Sequence, residues 1–265
     1  MTGSELHRSV VVGIDGSEIA VRTAEWAVDE AVSRNVPLRL VYVTKVTHPS
    51  FEEYEQEMKT AEAALRAAQS AVEALGQPVK VETVIEPGLP GVTLVTESRD
   101  ADLLCVGSVG IGRYARAVLG STATEVAEHA LCPVVIIRTA RNRPESDINW
   151  VVVTLNDLPE NAEVVEQALR EASLRKAPVL AVAVQSRGND HELERRVDEL
   201  RRRHPDLHVY PVATDDDIAH FLEDNDERVQ LTVIGPPDVG ELARIVGPHG
   251  HPLFRHAESS VLVVR

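Results

Sequence analysis

Apolar positions along this chain fall into two alternating rhythms. Short, continuous, β-branched runs such as Ser9–Asp15, Leu38–Val43, Asp102–Val106 and Pro133–Ile137 have the length and composition of strands buried on both faces. Val79 to Ile85 alternates apolar and polar residues and reads as a further strand. Between these runs the apolar residues recur at helical spacing. Ala20, Ala24, Ala27, Val28 and Ala31 mark a helix that starts from Ser17 as N-cap and ends before Pro37. Thr60 to Leu75, rich in alanine and glutamate, predicts a second helix closed by Gly76. Val92 to Arg99 and Ser121 to Ala130 predict two more, and the mixed, acidic residues 49–58 are expected to form a loop or the start of a helix. Strands alternating with helices imply right-handed crossovers and a parallel, doubly wound α/β sheet.

The polar, proline-containing stretch Thr139 to Asn149 reads as a linker, after which the pattern restarts. Ala27–Val43 lies against Ala168–Val184 at a constant offset of 141, with Glu30/Glu171, Arg34/Arg175 and Pro37/Pro178 among the identical pairs. Leu103–Gly107 matches Leu231–Gly235 at offset 128, and His129–Arg138 matches His256–Arg265 at offset 127. Order, spacing and restart point agree, which is the mark of a tandem duplication. The expected organisation is two tandem doubly wound parallel five-stranded sheets of Rossmann-like type, one over residues 1–140 and one over 149–265.

Charge narrows the partners. With 27 Lys and Arg against 42 Asp and Glu, the formal net charge is −15. That balance argues against the clustered cations needed to displace phosphate counterions from a duplex, and an acidic membrane surface would repel the chain. With 3 Phe, 2 Trp and 4 Tyr there is also little for a base-stacking platform. The only cysteines, Cys105 and Cys132, imply no disulfide framework and suit small buried roles. No run approaches a membrane span and the polar start lacks the pattern of a signal peptide, so a soluble, cytoplasmic protein is expected.

Candidate chemistry lies where the fourth strand ends. Gly107-Ser-Val-Gly110 lets the chain turn with no side chains in the way at its two glycines. Nine residues later Gly120-Ser121-Thr122 opens a helix. Unpaired N–H groups and the positive dipole end of that helix can hold phosphate, and the Ser121 and Thr122 hydroxyls add donors. In doubly wound sheets ligands sit at the carboxyl ends of strands near the switch in strand order. Asp15 ends the first strand and Val43 the second, so both reach the same crevice, where the Asp15 carboxylate can accept hydrogen bonds from a ribose or base.

With these residues in view, the chain resembles the universal stress protein family in its tandem-domain form. The family's ATP-binding pattern is Gly, two residues, Gly, nine residues, then Gly-Ser or Gly-Thr, with an Asp closing the first strand. Gly107, Gly110, Gly120, Ser121 and Asp15 match it, and VVVGIDGS (Val10–Ser17) and HALCPVVII (His129–Ile137) are similar as well. The resemblance implies ATP, with or without Mg, held by Gly13, Asp15, the Val43 backbone, Gly107, Gly110, Gly120, Ser121 and Thr122, with Arg113 placed to reach the phosphates. It implies a stress-response regulator or sensor working through nucleotide-dependent conformation or binding to an unidentified protein partner, with a homodimer as a further option, and not an enzyme. A cyclic nucleotide as ligand, and a nucleotide-free interaction module, are the alternatives.

The second copy departs from the pattern. Asn156 takes the place of Asp15, Asp238 that of Gly110, and Gly247-Pro248 that of Gly120-Ser121. Pro248 deletes a backbone donor and Asp238 would set negative charge beside a polyphosphate, so this crevice is expected to bind no nucleotide. Elsewhere no Walker Gly-x4-Gly-Lys and no Gly-x-Ser-x-Gly elbow occurs. His249, His251 and His256 read as surface histidines and Asp215–Asp217 as solvated acidic surface, with no metal-ligand spacing in either.

Overall fold

A computed structural model describes residues 8–110, 119–138, 149–184, 190–224, 228–246 and 259–265. The chain divides into two compact units, Met1–Ile137 and Arg138–Arg265.

The first unit runs β1 (Ser9–Ile14), α1 (Glu18–Arg34), β2 (Leu38–Thr44), α2 (Phe51–Ala74), β3 (Val81–Pro87), α3 (Pro90–Glu97), β4 (Ala101–Gly107), α4 (Ser121–His129) and β5 (Val134–Ile137). A single 3-10 turn, Ser98–Asp100, separates α3 from β4. Its strands are parallel in the order β3-β2-β1-β4-β5. The order reverses at β1, which has β2 on one side and β4 on the other. Val10, Val12, Leu38, Leu40, Leu103, Leu104 and Ile136 are sealed from solvent along these central strands. Helix α1 packs on α2, and α3 on α4, as follows when right-handed crossovers wind outward from β1 in both directions.

Helix α2 begins at Phe51, so of the two alternatives for residues 49–58 the structure has the helix start, two turns of it. Those turns are almost wholly exposed and carry no apolar stripe to announce them. Their start is fixed locally, by Ser50 Oγ accepting the Glu53 N–H at 3.2 Å.

The second unit repeats the plan: β6 (Trp150–Leu155), α5 (Asn161–Arg175), β7 (Val179–Val184), α6 (Asp190–Arg203), β8 (Val209–Thr214), α7 (Ile218–Asp224), β9 (Val229–Ile234), α8 (Leu242–Ile245) and β10 (Ser260–Val263). Its parallel order is β10-β9-β6-β7-β8. The outermost strand, β8, tolerates Pro211 because its outer side needs no ladder donor. Register repeats along with order. Gly13 pairs with Val41 and Thr154 with Val182, each 141 residues on. A buried ion pair repeats too: Glu30 with Arg34 at 3.3 Å and Glu171 with Arg175 at 3.0 Å, both glutamates at 0% exposure. Among the described residues no helix is long and apolar enough to cross a membrane.

Candidate functional site

At the carboxyl ends of β1, β2 and β4, in the first unit, a cavity of about 510 Å³ opens at the switch point. It is lined by Gly13 and Asp15 from β1 and the turn after it, Val43 from β2, and Gly107, Gly110, Gly120, Ser121 and Thr122 around the start of α4. Eight of the nine residues named from the sequence therefore share one cavity. Arg113 lies outside the described residues. Pro90 and Leu94 of α3 add an apolar wall to the cavity, two residues that the spacing of the glycines does not reveal.

Local structure explains how each group is held. Gly16 at φ +86° lets the chain fold back on itself after β1. Ser17 then donates both its N–H and its hydroxyl to Asp15 Oδ1, at 2.9 and 2.6 Å. The same hydroxyl accepts the Ala20 N–H at 3.2 Å and so caps α1. One serine thus fixes both the carboxylate and the helix behind it. Across the crevice, a Cβ built on Gly110 would stand 2.4 Å from Asp15 Oδ2, so a side chain there would displace the carboxylate. A Cβ on Gly107 would stand 2.9 Å from Ile19 of α1.

Gly120 is the N-cap of α4, and no side chain caps that helix. The Gly120 N–H donates to the Ser108 carbonyl at 2.7 Å, which ties the helix start to the glycine turn. The amides of Ser121, Thr122 and Ala123 have no intrahelical carbonyl to meet, as in the first turn of any helix, and all three residues line the cavity. Donors and a positive dipole end on one side therefore face a carboxylate on the other. That polarity suits a ligand carrying an anion at one end and hydroxyls at the other.

Near β2, burial raises the Tyr42 phenol above its usual range, helped by the charges of Glu57 and Asp15. Glu57 itself, although partial burial pushes the other way, is held below the usual carboxylate range by its hydrogen bond to His48 and by the Lys45 N–H at 3.2 Å. That carboxylate pins the chain leaving β2 onto α2.

The second unit uses the same backbone differently. Asn156 keeps the turn-forming half of the Asp15 role, its Oδ1 accepting the Leu158 N–H at 2.9 Å. Thr154 stands where the first unit has Gly13, and its hydroxyl donates to Asp238 Oδ2 at 3.2 Å. Asp238, in the place of Gly110, is directed back onto its own sheet, and burial raises its carboxyl above the usual range. Asn161 is buried, donates to the Thr154 carbonyl at 2.8 Å and accepts the Asn156 N–H at 3.1 Å. Arg196 reaches over from α6 to the Asn156 carbonyl at 3.0 Å and the Asn161 side chain at 3.3 Å. Gly247 and Pro248 lie outside the described residues.

Cys105 and Cys132 are both buried. Of the acidic run Asp215–Asp217, Asp217 is more than solvated surface: its Oδ1 accepts the His220 N–H at 2.7 Å at the start of α7, and its other oxygen bonds Arg244 at 3.2 Å. Among the described residues no group of three metal-ligating side chains gathers. His249, His251 and His256 fall outside them.

Comparison with known proteins agrees with this plan. The universal stress protein family model matches residues 7–138. A universal stress protein of Mycobacterium tuberculosis is 57% identical over 267 residues, covering 99% of this chain and 98% of its own length. Another from the same organism is 35% identical over 274 residues, covering 100% of this chain and 98% of its own. Among solved structures, a universal stress protein from Archaeoglobus fulgidus superposes with a TM-score of 0.70 at 17% identity, over 98% of this chain and 96% of that one, which is a likeness of fold. On the strength of its relatives along the full length, the chain belongs to the universal stress protein family.

Proposed function

We propose that the first unit binds one ATP in the crevice at the β1/β4 switch point and that the protein acts as a regulator read by a partner, without turning over its ligand. The observation that carries this reading is the joint lining of one cavity by Asp15, the bare glycines 107 and 110, and the uncapped start of α4. A volume of about 510 Å³ falls within the range of small-molecule sites. Asp15 would take the ribose hydroxyls, the Val43 backbone the base, and the amides of Ser121 and Thr122 the phosphates. Gly110 fits this role because a side chain there would press on Asp15. Mg would arrive on the phosphates, since Asp15 is the single acidic residue among the described lining.

Calorimetric titration of the full chain tests the proposal. ATP should saturate at one equivalent. Asp15→Ala should weaken it about tenfold to a hundredfold, the worth of one charge-assisted contact. Gly120→Glu should remove it, by setting negative charge at the phosphate end. Unchanged affinity in both variants, with folding intact by circular dichroism, rejects the site. Tighter binding of a cyclic nucleotide than of ATP would reassign the ligand.

A further inference from the structure

The rim of this crevice carries exposed apolar side chains that packing does not explain. Val46 is 70% exposed, Phe51 72% and Leu89 70%, with Tyr54 and Val92 also open to solvent. They come from two adjoining segments. The β2–β3 ladder holds its register as far as Thr44 beside Pro87, and the Gly88 N–H donates to the Thr44 carbonyl at 2.8 Å. The chain after β2 (Val46, Phe51) and the chain after β3 (Leu89, Val92) therefore leave the sheet side by side. The Phe51 and Tyr54 rings lie 6.3 Å apart, and Tyr54 meets His48 edge-on at 5.2 Å. His48 is bonded in turn to Glu57, so the aromatic lip is held in place rather than loosely hung.

After its third strand the second unit differs. The segment after β8 in the second unit offers Asp215, Asp216 and Asp217 instead, and Asp217 is occupied at the start of α7. Apolar groups grouped at one exposed place mark a contact surface.

The surrounding charge says what kind of partner fits. Residues 45–59 contain Glu52, Glu53, Glu55 and Glu57 against Lys45 and Lys59, and the first three glutamates are exposed. A second copy of the chain, or an anionic lipid surface, would bring like charge against this ring. We propose that the apolar rim of Val46, Phe51, Leu89 and Val92 docks a basic, amphipathic segment of a partner protein, and that filling the crevice sets the rim's shape. The second half of this statement rests on the nucleotide reading above. Its physical basis is continuity: Pro90 and Leu94 line the crevice, while Leu89 and Val92 of the same segment face solvent.

The probe is a displayed library of short random peptides, selected on the full chain with ATP present. Clones are then synthesised and measured by fluorescence anisotropy. The expected binders carry net positive charge with apolar residues at helical spacing, and salt weakens them. The double variant Phe51→Ser/Leu89→Ser should weaken them at least about tenfold while binding ATP as the parent does. Val46→Ser/Val92→Ser should repeat the effect, which separates it from damage by one substitution. Binders that ignore both variants, or rim-dependent binders that are neutral or acidic, overturn the proposal. So does a change of molecular mass by light scattering in the variants, which would make a second copy the occupant. Variant-sensitive binding to phosphatidylglycerol vesicles alone would make it a lipid and overturn it equally. Peptide affinity that is the same with and without ATP, in a chain shown to bind ATP, overturns the coupling. A parent chain that binds the peptides but no ATP refutes the nucleotide reading and the coupling, and upholds the surface.

Discussion

The first crevice and its counterpart in the second unit begin from one backbone. Both follow the first strand of a five-stranded sheet, both close a two-residue turn on an Asp or Asn side chain, and both face a glycine at the end of the fourth strand. They differ in where the carboxylate stands. In the first unit it is on the strand end, at Asp15, across from bare glycines at 13 and 110. In the second it has crossed over to Asp238 and is joined to Thr154, in the place of Gly13. The open version leaves donors and acceptors facing a cavity. The closed version satisfies them internally, with Asn161 and Arg196 completing the set. The two crevices thus differ in which polar groups turn toward the cavity and which turn back onto the sheet.

The sharpest way to break that comparison is to move the closed version into the open site. The triple variant Gly13→Thr, Asp15→Asn, Gly110→Asp should weaken ATP binding by about two to four powers of ten, one charge-assisted contact being lost at Asp15 and a like charge added beside the phosphates at Gly110. The fold should survive, because the same three residue types sit in the same register in the second unit. The reverse pair, Thr154→Gly with Asp238→Gly, should leave the stoichiometry at one. A second equivalent would show that the closing contact alone blocks the second site.

A smaller effect is expected behind the closed turn. Arg196→Ala should cost the chain about 1–2 kcal/mol in denaturant unfolding, the low end for charged hydrogen bonds because the side chain is partly solvated. ATP affinity should not change. Behind the open turn, Ser17→Ala removes a helix cap and should cost about 1 kcal/mol. Here affinity should fall too, because the same hydroxyl orients Asp15.

The smallest effect is the pH dependence that Asp238 confers on stability. Burial raises Asp238, so the folded chain keeps that proton to higher pH than the unfolded chain does. Its contribution to stability therefore falls as pH rises from the usual carboxylate range through the raised value. Asp238→Asn removes this dependence. The variant should melt higher than the parent at neutral pH and alike at acid pH, by calorimetric scanning.

Much of this molecule could be read from its residues alone. The strand–helix alternation and the 141-residue offset carried the fold, because buried strands must be continuous and apolar and a repeat must keep register. The residues of the open crevice could be grouped in advance because Asp15 stands together with the glycine spacing 107, 110 and 120, a conjunction that resembles the universal stress protein pattern, whereas glycine turns alone are common. For the first turns of α2 the residues left a loop and a helix start both open, since an exposed helix has no apolar stripe. Yet Ser50 three residues before Glu53 is a capping pattern, and the structure uses Ser50 as the cap. The closed crevice was read only as a loss. Asp238 was expected to repel phosphate, whereas it bonds Thr154, a partner 84 residues away that no local spacing reveals. Asn161 bonds within its own turn, to Thr154 and Asn156, and Arg196 reaches in from α6; neither residue's type or spacing marks these roles in advance.

The close approach of position 110 to Asp15 also couples the choice of residue at two places far apart in the chain. A side chain at position 110 would have to displace the Asp15 carboxylate or turn away from it, as Asp238 turns onto Thr154 in the second unit. A substitution at one of these positions is therefore felt at the other, so the pair changes its behaviour as a unit.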